Sequence, residues 1–281
     1  GTAIDFTTSA NVKTGTANDT VTLDVLAEAN ITLEMGAKLG DNDTLAISGA
    51  NNMGLTVIDL SAADQISQAN GAINTGVQTG IESVSLAGVT GSFGASITGS
   101  AVANTITGTP NADNIVAGEA ADLVIASAGN DTISFAESVA KADKYQFAAN
   151  AAANGADAIT GFATLSDDID VNALTAATAL TATTAGADTI VTDKVYLIAG
   201  TSNDADSKGA SATIIDSTLD GSGTLTDDTD GDLAYFIVSD SNSSSVYLYT
   251  ATNGAAGVAS AELTLMASVD AVLVSADILF A

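Results

Sequence analysis

Apolar residues in this chain alternate with small polar ones over short runs, and several runs follow a turn-forming cluster of Gly, Asn and Asp. Gly15-Thr-Ala-Asn-Asp19 leads into Val21-Thr-Leu23, and Gly40-Asp41-Asn-Asp43 into Leu45-Ala-Ile47. Later, Gly155-Ala-Asp157 leads into Ile159, and Gly186-Ala-Asp188 into Ile190. Between these, Asn30-Ile31-Thr-Leu33, Thr56-Val57-Ile-Asp59-Leu60, Ile81-Glu-Ser-Val84-Ser-Leu86 and Ser96-Ile97-Thr98 read as further strands. A two-residue period puts alternate side chains on opposite faces, so these runs predict half-buried β-strands. Tyr235–Val238 and Val246–Tyr249, separated by the serine-rich stretch 239–245, predict a hairpin. A last strand or short helix is expected over 269–280. One stretch, 61–70, reads differently: Ser61 with Asp64 three places on allows one or two capped helical turns.

Between Gly99 and Ser134 the pattern becomes periodic, with nine-residue units at 99–107, 108–116, 117–125 and 126–134. The sixth place holds Asn104, Asp113, Asp122 and Asp131; the eighth holds Ile106, Ile115, Val124 and Ile133. Nine residues make a short strand and a tight turn, and two such units make one coil of a parallel β-roll. The aliphatics then stack inward and the acids stack at the turns, where a bound cation offsets their repulsion. Calcium takes ~6–8 oxygen ligands, which carboxylates and turn carbonyls of adjacent coils can supply. The same local spacing makes Asp19, Asp43, Asp157 and Asp188 weaker candidate ligands, with Asn111 in the turn before Asp113. Asp168 and Asp170, beside Asp167, are candidates of another kind, three acids ahead of a strand. Each has a plain alternative as a solvated turn acid. Asp228, Asp230, Gly231 and Asp232 resemble the start of an EF-hand, but Ser239 stands where that loop needs Glu, which leaves only a loop calcium site.

Composition narrows the chemistry. The 281 residues hold 34 acids against 6 bases, for a net charge of −28, with no His, Cys or Trp. Nucleic acid and anionic membrane surfaces need clustered positive charge and are excluded as partners. Imidazole and thiolate metal sites, the Ser-His-Asp triad and cysteine proteases are excluded by the missing residues. The metal ligands that remain are hard oxygens, which suit calcium or magnesium. The hydrophobic share of 46% is enough for a core, unlike a disordered acidic tail. No apolar run is long enough for a membrane helix. The first residues carry neither a basic nor an apolar leader segment, so no Sec signal is expected, and an initial Gly suggests an excised piece. Glycoside hydrolysis needs only two acids, yet the chain lacks Trp and Arg, and its five tyrosines read better as core than as a sugar platform. No enzymatic activity is expected.

The nine-residue run resembles the RTX (hemolysin-type) calcium-binding repeat, Gly-Gly-x-Gly-x-Asp-x-aliphatic-x. Asp113, Asp122 and Asp131 match its Asp, and Ile115, Val124 and Ile133 its aliphatic. Gly108, Gly118 and Gly129 are kept, whereas Thr109, Asn111, Ala117, Ala120, Ala126 and Ser127 replace glycines, which weakens the turns at Ala117 and Ala126. Lys144-Tyr145-Gln-Phe147, Asp157-Ala-Ile159 to Phe162 and Asp168-Ile-Asp170 resemble the segment that follows such repeats, and the chain's end is similar to that of type I secretion substrates. The resemblance implies an all-β fold: an irregular β-solenoid with inserted loops over 1–98, a calcium-binding β-roll over 99–136, and a β-rich capping and secretion-signal region over 137–281. It implies a secreted structural protein that folds on calcium after passing the type I secretion machinery and self-associates into a bacterial surface layer (S-layer). Attachment to outer-membrane glycan would use regions not in this chain. The C-terminal part of a large RTX adhesin, or the carrier domain of a secreted polysaccharide-active enzyme, would share the architecture.

Overall fold

The computed structural model describes residues 11–24, 32–36, 42–51, 54–125, 127–148, 154–174, 177, 179–182, 190, 193–199, 208–219, 231, 233–252 and 257–280. They form an all-β protein with long parallel sheets and, among the described residues, one α-helix, Lys208–Leu219. That helix is neither long nor apolar enough to cross a membrane. The chain divides into two compact units, Gly1–Tyr145 and Gln146–Ala281.

In the first unit, Thr56–Asp59, Ala95–Ser100, Asn114–Gly118 and Thr132–Ser134 lie side by side, all parallel. Thr20–Asp24, Thr44–Asn51, Ser83–Gly91, Thr105–Thr107 and Leu123–Ile125 form a second parallel array. Asn11–Lys13, Thr32–Glu34 and Gln78–Thr79 make a small third sheet, where Lys13 pairs with Glu34 at the surface. From Ala95 onward the chain visits the first two arrays alternately. Ser96 faces Asn114, Asn114 faces Thr132, and Thr105 faces Leu123, so partners stand 18 positions apart. Each of these short strands buries a central aliphatic: Ile97, Ile106, Ile115, Val124 and Ile133 are at most 1% exposed. Burying one such side chain is worth ~1.5–3 kcal/mol, so a row of them holds strands that are individually too short to persist.

Close approach of neighbouring backbones requires glycine at several places, Gly94 and Gly99 among them. A Cβ on Gly99 would overlap the carbonyl of Ala117, and one on Gly94 the carbonyl of Ala112, again 18 positions on. Left-handed backbone falls at Gly118, Gly129 and, against side-chain preference, Ala120, whose φ is 91°. Ala117, expected in a strained turn, instead sits fully buried in the strand Asn114–Gly118, while Ala126 lies outside the described residues. The stretch 61–70 is a turn followed by the strand Ile66–Ala69, antiparallel to Thr56–Asp59, rather than a helix. Gln65 decides this. Its side-chain amide donates to the carbonyls of Leu60 and Ile81 and accepts from the Ile81 N–H, bonds that link distant segments and that no local signal reveals.

In the second unit, Ala179–Ala182, Lys194–Ala199 and Leu233–Ser239 are parallel. The helix lies in the connection between the last two, the usual way to return a chain to a parallel neighbour. The expected hairpin is present, with Ile237 opposite Val246. Leu263–Val269 continues it antiparallel and pairs on its other side, parallel, with Asp157–Thr160. Asp168–Asp170 pairs with Ile278–Leu279, which follows a 3-10 turn at Ser275–Asp277. Ala212, Ile215 and Leu219 of the helix pack into one cluster with Tyr196, Phe236, Tyr247 and Tyr249.

Candidate functional site

Acids and one amide form a column along the starts of strands in the second array of the first unit. Its members are Asp19, Asp43, Glu82, Asn104, Asp122 and Asp143, each two residues ahead of a buried side chain: Val21, Leu45, Val84, Ile106, Val124 and Tyr145. The Asp19 N–H donates to Oδ1 of Asp43 at 2.8 Å and the Asp43 N–H to Oε2 of Glu82 at 2.8 Å. Asn104 Nδ2 donates to the Glu82 carbonyl at 2.6 Å. Further along, the Asn104 N–H donates to Oδ1 of Asp122 at 2.7 Å and the Asp122 N–H to Oδ1 of Asp143 at 2.8 Å. A shorter column serves the other array: Ala95 N–H to Asp113 Oδ1 at 2.6 Å, and Asp113 N–H to Asp131 Oδ1 at 2.9 Å. Asp43, Glu82, Asp122, Asp143, Asp113 and Asp131 thus each accept a backbone amide of the neighbouring segment where the ladder begins.

Several of these acids also close their own turns. Thr109 donates to Asp113 from both its amide, at 2.6 Å, and its hydroxyl, at 2.8 Å. Ser127 Oγ donates to Asp131, the Ser100 N–H to Asn104, and the Gly15 N–H to Asp19, always four residues back. Asn111 lies in the Asp113 turn, its side chain reaching the Phe93 carbonyl at 3.3 Å. Asp113 therefore has donors on both oxygens. Asp122 does not: it is 2% exposed, and its Oδ2 has no hydrogen-bond partner. Burial raises the Asp113 carboxyl to about 6, against the pull of its amide and hydroxyl donors. Burial raises Asp122 further, to about 7; the Asn104 amide opposes this, and the Asp143 and Glu137 carboxylates add to it.

The structure thus joins Asp113 to Asp131, Asn104 to Asp122, and Asp19 to Asp43. In the second unit Asp157 is buried at the start of its strand, and Asp168 and Asp170 sit on the strand Asp168–Asp170. Asp170 accepts from the Asn172 N–H, and Asp167 from the Ala163 N–H. Asp41, Asp188, Asp228, Asp230 and Asp232 lie outside the described residues. Glu82, Asp143 and Glu137 were missed by sequence reasoning. The rule of an acid two places before a buried residue would have found Glu82 and Asp143, but Asp122 and Asp143 are 21 positions apart rather than 18. All five tyrosines are buried, so none forms a sugar platform.

Chemically, buried oxygens with few cationic neighbours hold either protons or metal ions. The donor set is all oxygen, and a buried carboxylate oxygen without a hydrogen-bond donor, as Oδ2 of Asp122 and Oε1 of Glu137 are, fits a hard cation such as calcium. Among the described residues no three acids already stand together as a formed cage. No protein-family model matches the chain, and no curated protein matches it significantly.

Proposed function

We propose that this chain is a calcium-dependent structural protein of the bacterial cell surface, exported by a type I system, folding when it meets calcium and self-associating into a surface layer. In this reading the nine-residue units are half-coils of a β-roll, a view supported by the 18-residue register of Ser96, Asn114 and Thr132. No catalytic role is assigned. The observation that carries the reading is the column of buried acids at the strand starts, in a chain whose 6 basic residues cannot neutralise 34 acids. In a cytoplasm poor in calcium the columns repel and the chain stays exportable; outside, ion binding is coupled to folding.

Circular dichroism with and without excess chelator tests it, alongside light scattering during a calcium titration. The expected result is loss of much of the β signal on chelation and growth of ordered assemblies as calcium is added. A β spectrum indifferent to chelator would overturn the calcium dependence. Calcium-induced folding to a lasting monomer would replace the layer with the adhesin-tail reading.

A further inference from the structure

We infer that one cation is held at a specific corner of the first unit by Asp122, Glu137 and Asp143, two of which lie outside the nine-residue run. The inference rests on the calcium reading and narrows it: the Asp113–Asp131 column is closed by protein donors and does not carry this ion. The argument starts from Asp122. Its Oδ1 accepts the Asn104 amide at 2.7 Å, while its Oδ2, buried with the residue 2% exposed, meets no donor. A buried carboxylate oxygen without a partner is costly, and more so beside other carboxylates. Asp143 stands just ahead of the neighbouring strand, Lys144–Gln146, bound through Oδ1 to the Asp122 amide at 2.8 Å. Parallel strands are ~4.8 Å apart, so the two carboxylates are near neighbours.

Glu137 comes from the turn between them. Its Oε2 accepts the Lys141 N–H at 2.6 Å, while its Oε1 is buried and partnerless. The step from Asp122 to Asp143 is 21 positions against 18 from Asn104 to Asp122, and Glu137, whose carboxylate acts electrostatically on Asp122, falls in that longer connection. Asp122 also lines a groove of about 230 Å³, together with Asn104, Lys144 and the small residues Ala103, Ala121 and Ala142, each one place before a column member; Glu137 and Asp143 lie outside that lining. Lys144 is the basic side chain in that lining, and one ammonium cannot offset three carboxylates. Calcium accepts irregular shells of ~6–8 oxygens, so carboxylates completed by water suit it. Glu137 is partly exposed, and among the described residues no finished cage stands beforehand.

Calorimetric titration of the full chain with calcium chloride tests this in wild type, Asp122→Asn, Glu137→Gln and Asp113→Asn. The expected result is that Asp122→Asn and Glu137→Gln each weaken one binding event by at least about tenfold, while Asp113→Asn leaves it within about twofold. Glu137→Gln is the safeguard, because its partly exposed turn position leaves folding intact, as circular dichroism in calcium would verify. If wild type binds calcium and neither Asp122→Asn nor Glu137→Gln changes the isotherm, the placement is overturned while the calcium reading stands. If wild type binds no calcium, both fall.

Discussion

Asp113 and Asp122 occupy the same place in successive repeats, yet one has donors on both oxygens and the other lacks a donor on Oδ2. The difference lies in the turn: Thr109 supplies an amide and a hydroxyl to Asp113, whereas the Asp122 turn carries Gly118, which has no hydroxyl, at the matching place. Both carboxyls are raised by burial from an ordinary 3.8, to about 6 and about 7. The folded chain therefore binds more protons than the unfolded one across roughly pH 4–7, so stability is present at the acid end and is lost as pH rises through those values. With calcium chelated, the fold should persist best near about pH 5 and its thermal midpoint should fall as pH rises toward about 7.5, where much of the β signal is lost; Asp122→Asn should flatten the upper part of that fall. A midpoint that climbs over the same interval would show that burial does not dominate these groups. Saturating calcium should remove the upper, Asp122 part of the decline, since there the ion takes the proton's place, and leave the Asp113 part.

At the level of strands and turns, the local alternation of apolar residues was sufficient to locate the short strands, because each needs only one buried aliphatic and a preceding turn. Ile97, Ile115 and Ile133 show this, as does the hairpin around Ile237 and Val246. The helix Lys208–Leu219 was not foreseen. Its sequence, with Gly209, Ser211, Thr213, Ser217 and Thr218, has poor intrinsic helicity, and packing of Ala212, Ile215 and Leu219 among tyrosines supplies what propensity lacks. The acid columns are half legible, since Asp113, Asp122 and Asp131 recur every nine residues while Glu82 and Asp143 stand off that spacing, 22 and 21 positions from their column neighbours. The close approach of adjacent backbones carries a prediction of its own. Gly99→Ala pushes a methyl into the Ala117 carbonyl and should cost about 1–3 kcal/mol in urea unfolding with calcium present. Gly15→Ala, whose Cβ would meet only Asp19 Oδ2 at 3.9 Å, should stay within about 0.5 kcal/mol of wild type. Equal effects at both sites would refute the close-approach account.

For the molecule as a whole, the acids serve two masters: as amide acceptors they anchor strand starts, and as anions they keep the chain apart until charge is offset. Marginal stability makes that balance sensitive, because a few kcal/mol separate folded from unfolded. The register between Ser96, Asn114 and Thr132 has a consequence for how such a chain changes length. Excising residues 108–125 would bring Ser96 opposite Thr132 and Asn104 opposite Asp143, with every aliphatic still facing inward. Removing Ala112 alone would shift the phase and turn the following side chains to the wrong face. The larger deletion should melt cooperatively in calcium and the smaller one should not, so the molecule tolerates loss only in whole steps, much as a staircase can lose a flight but not half a tread.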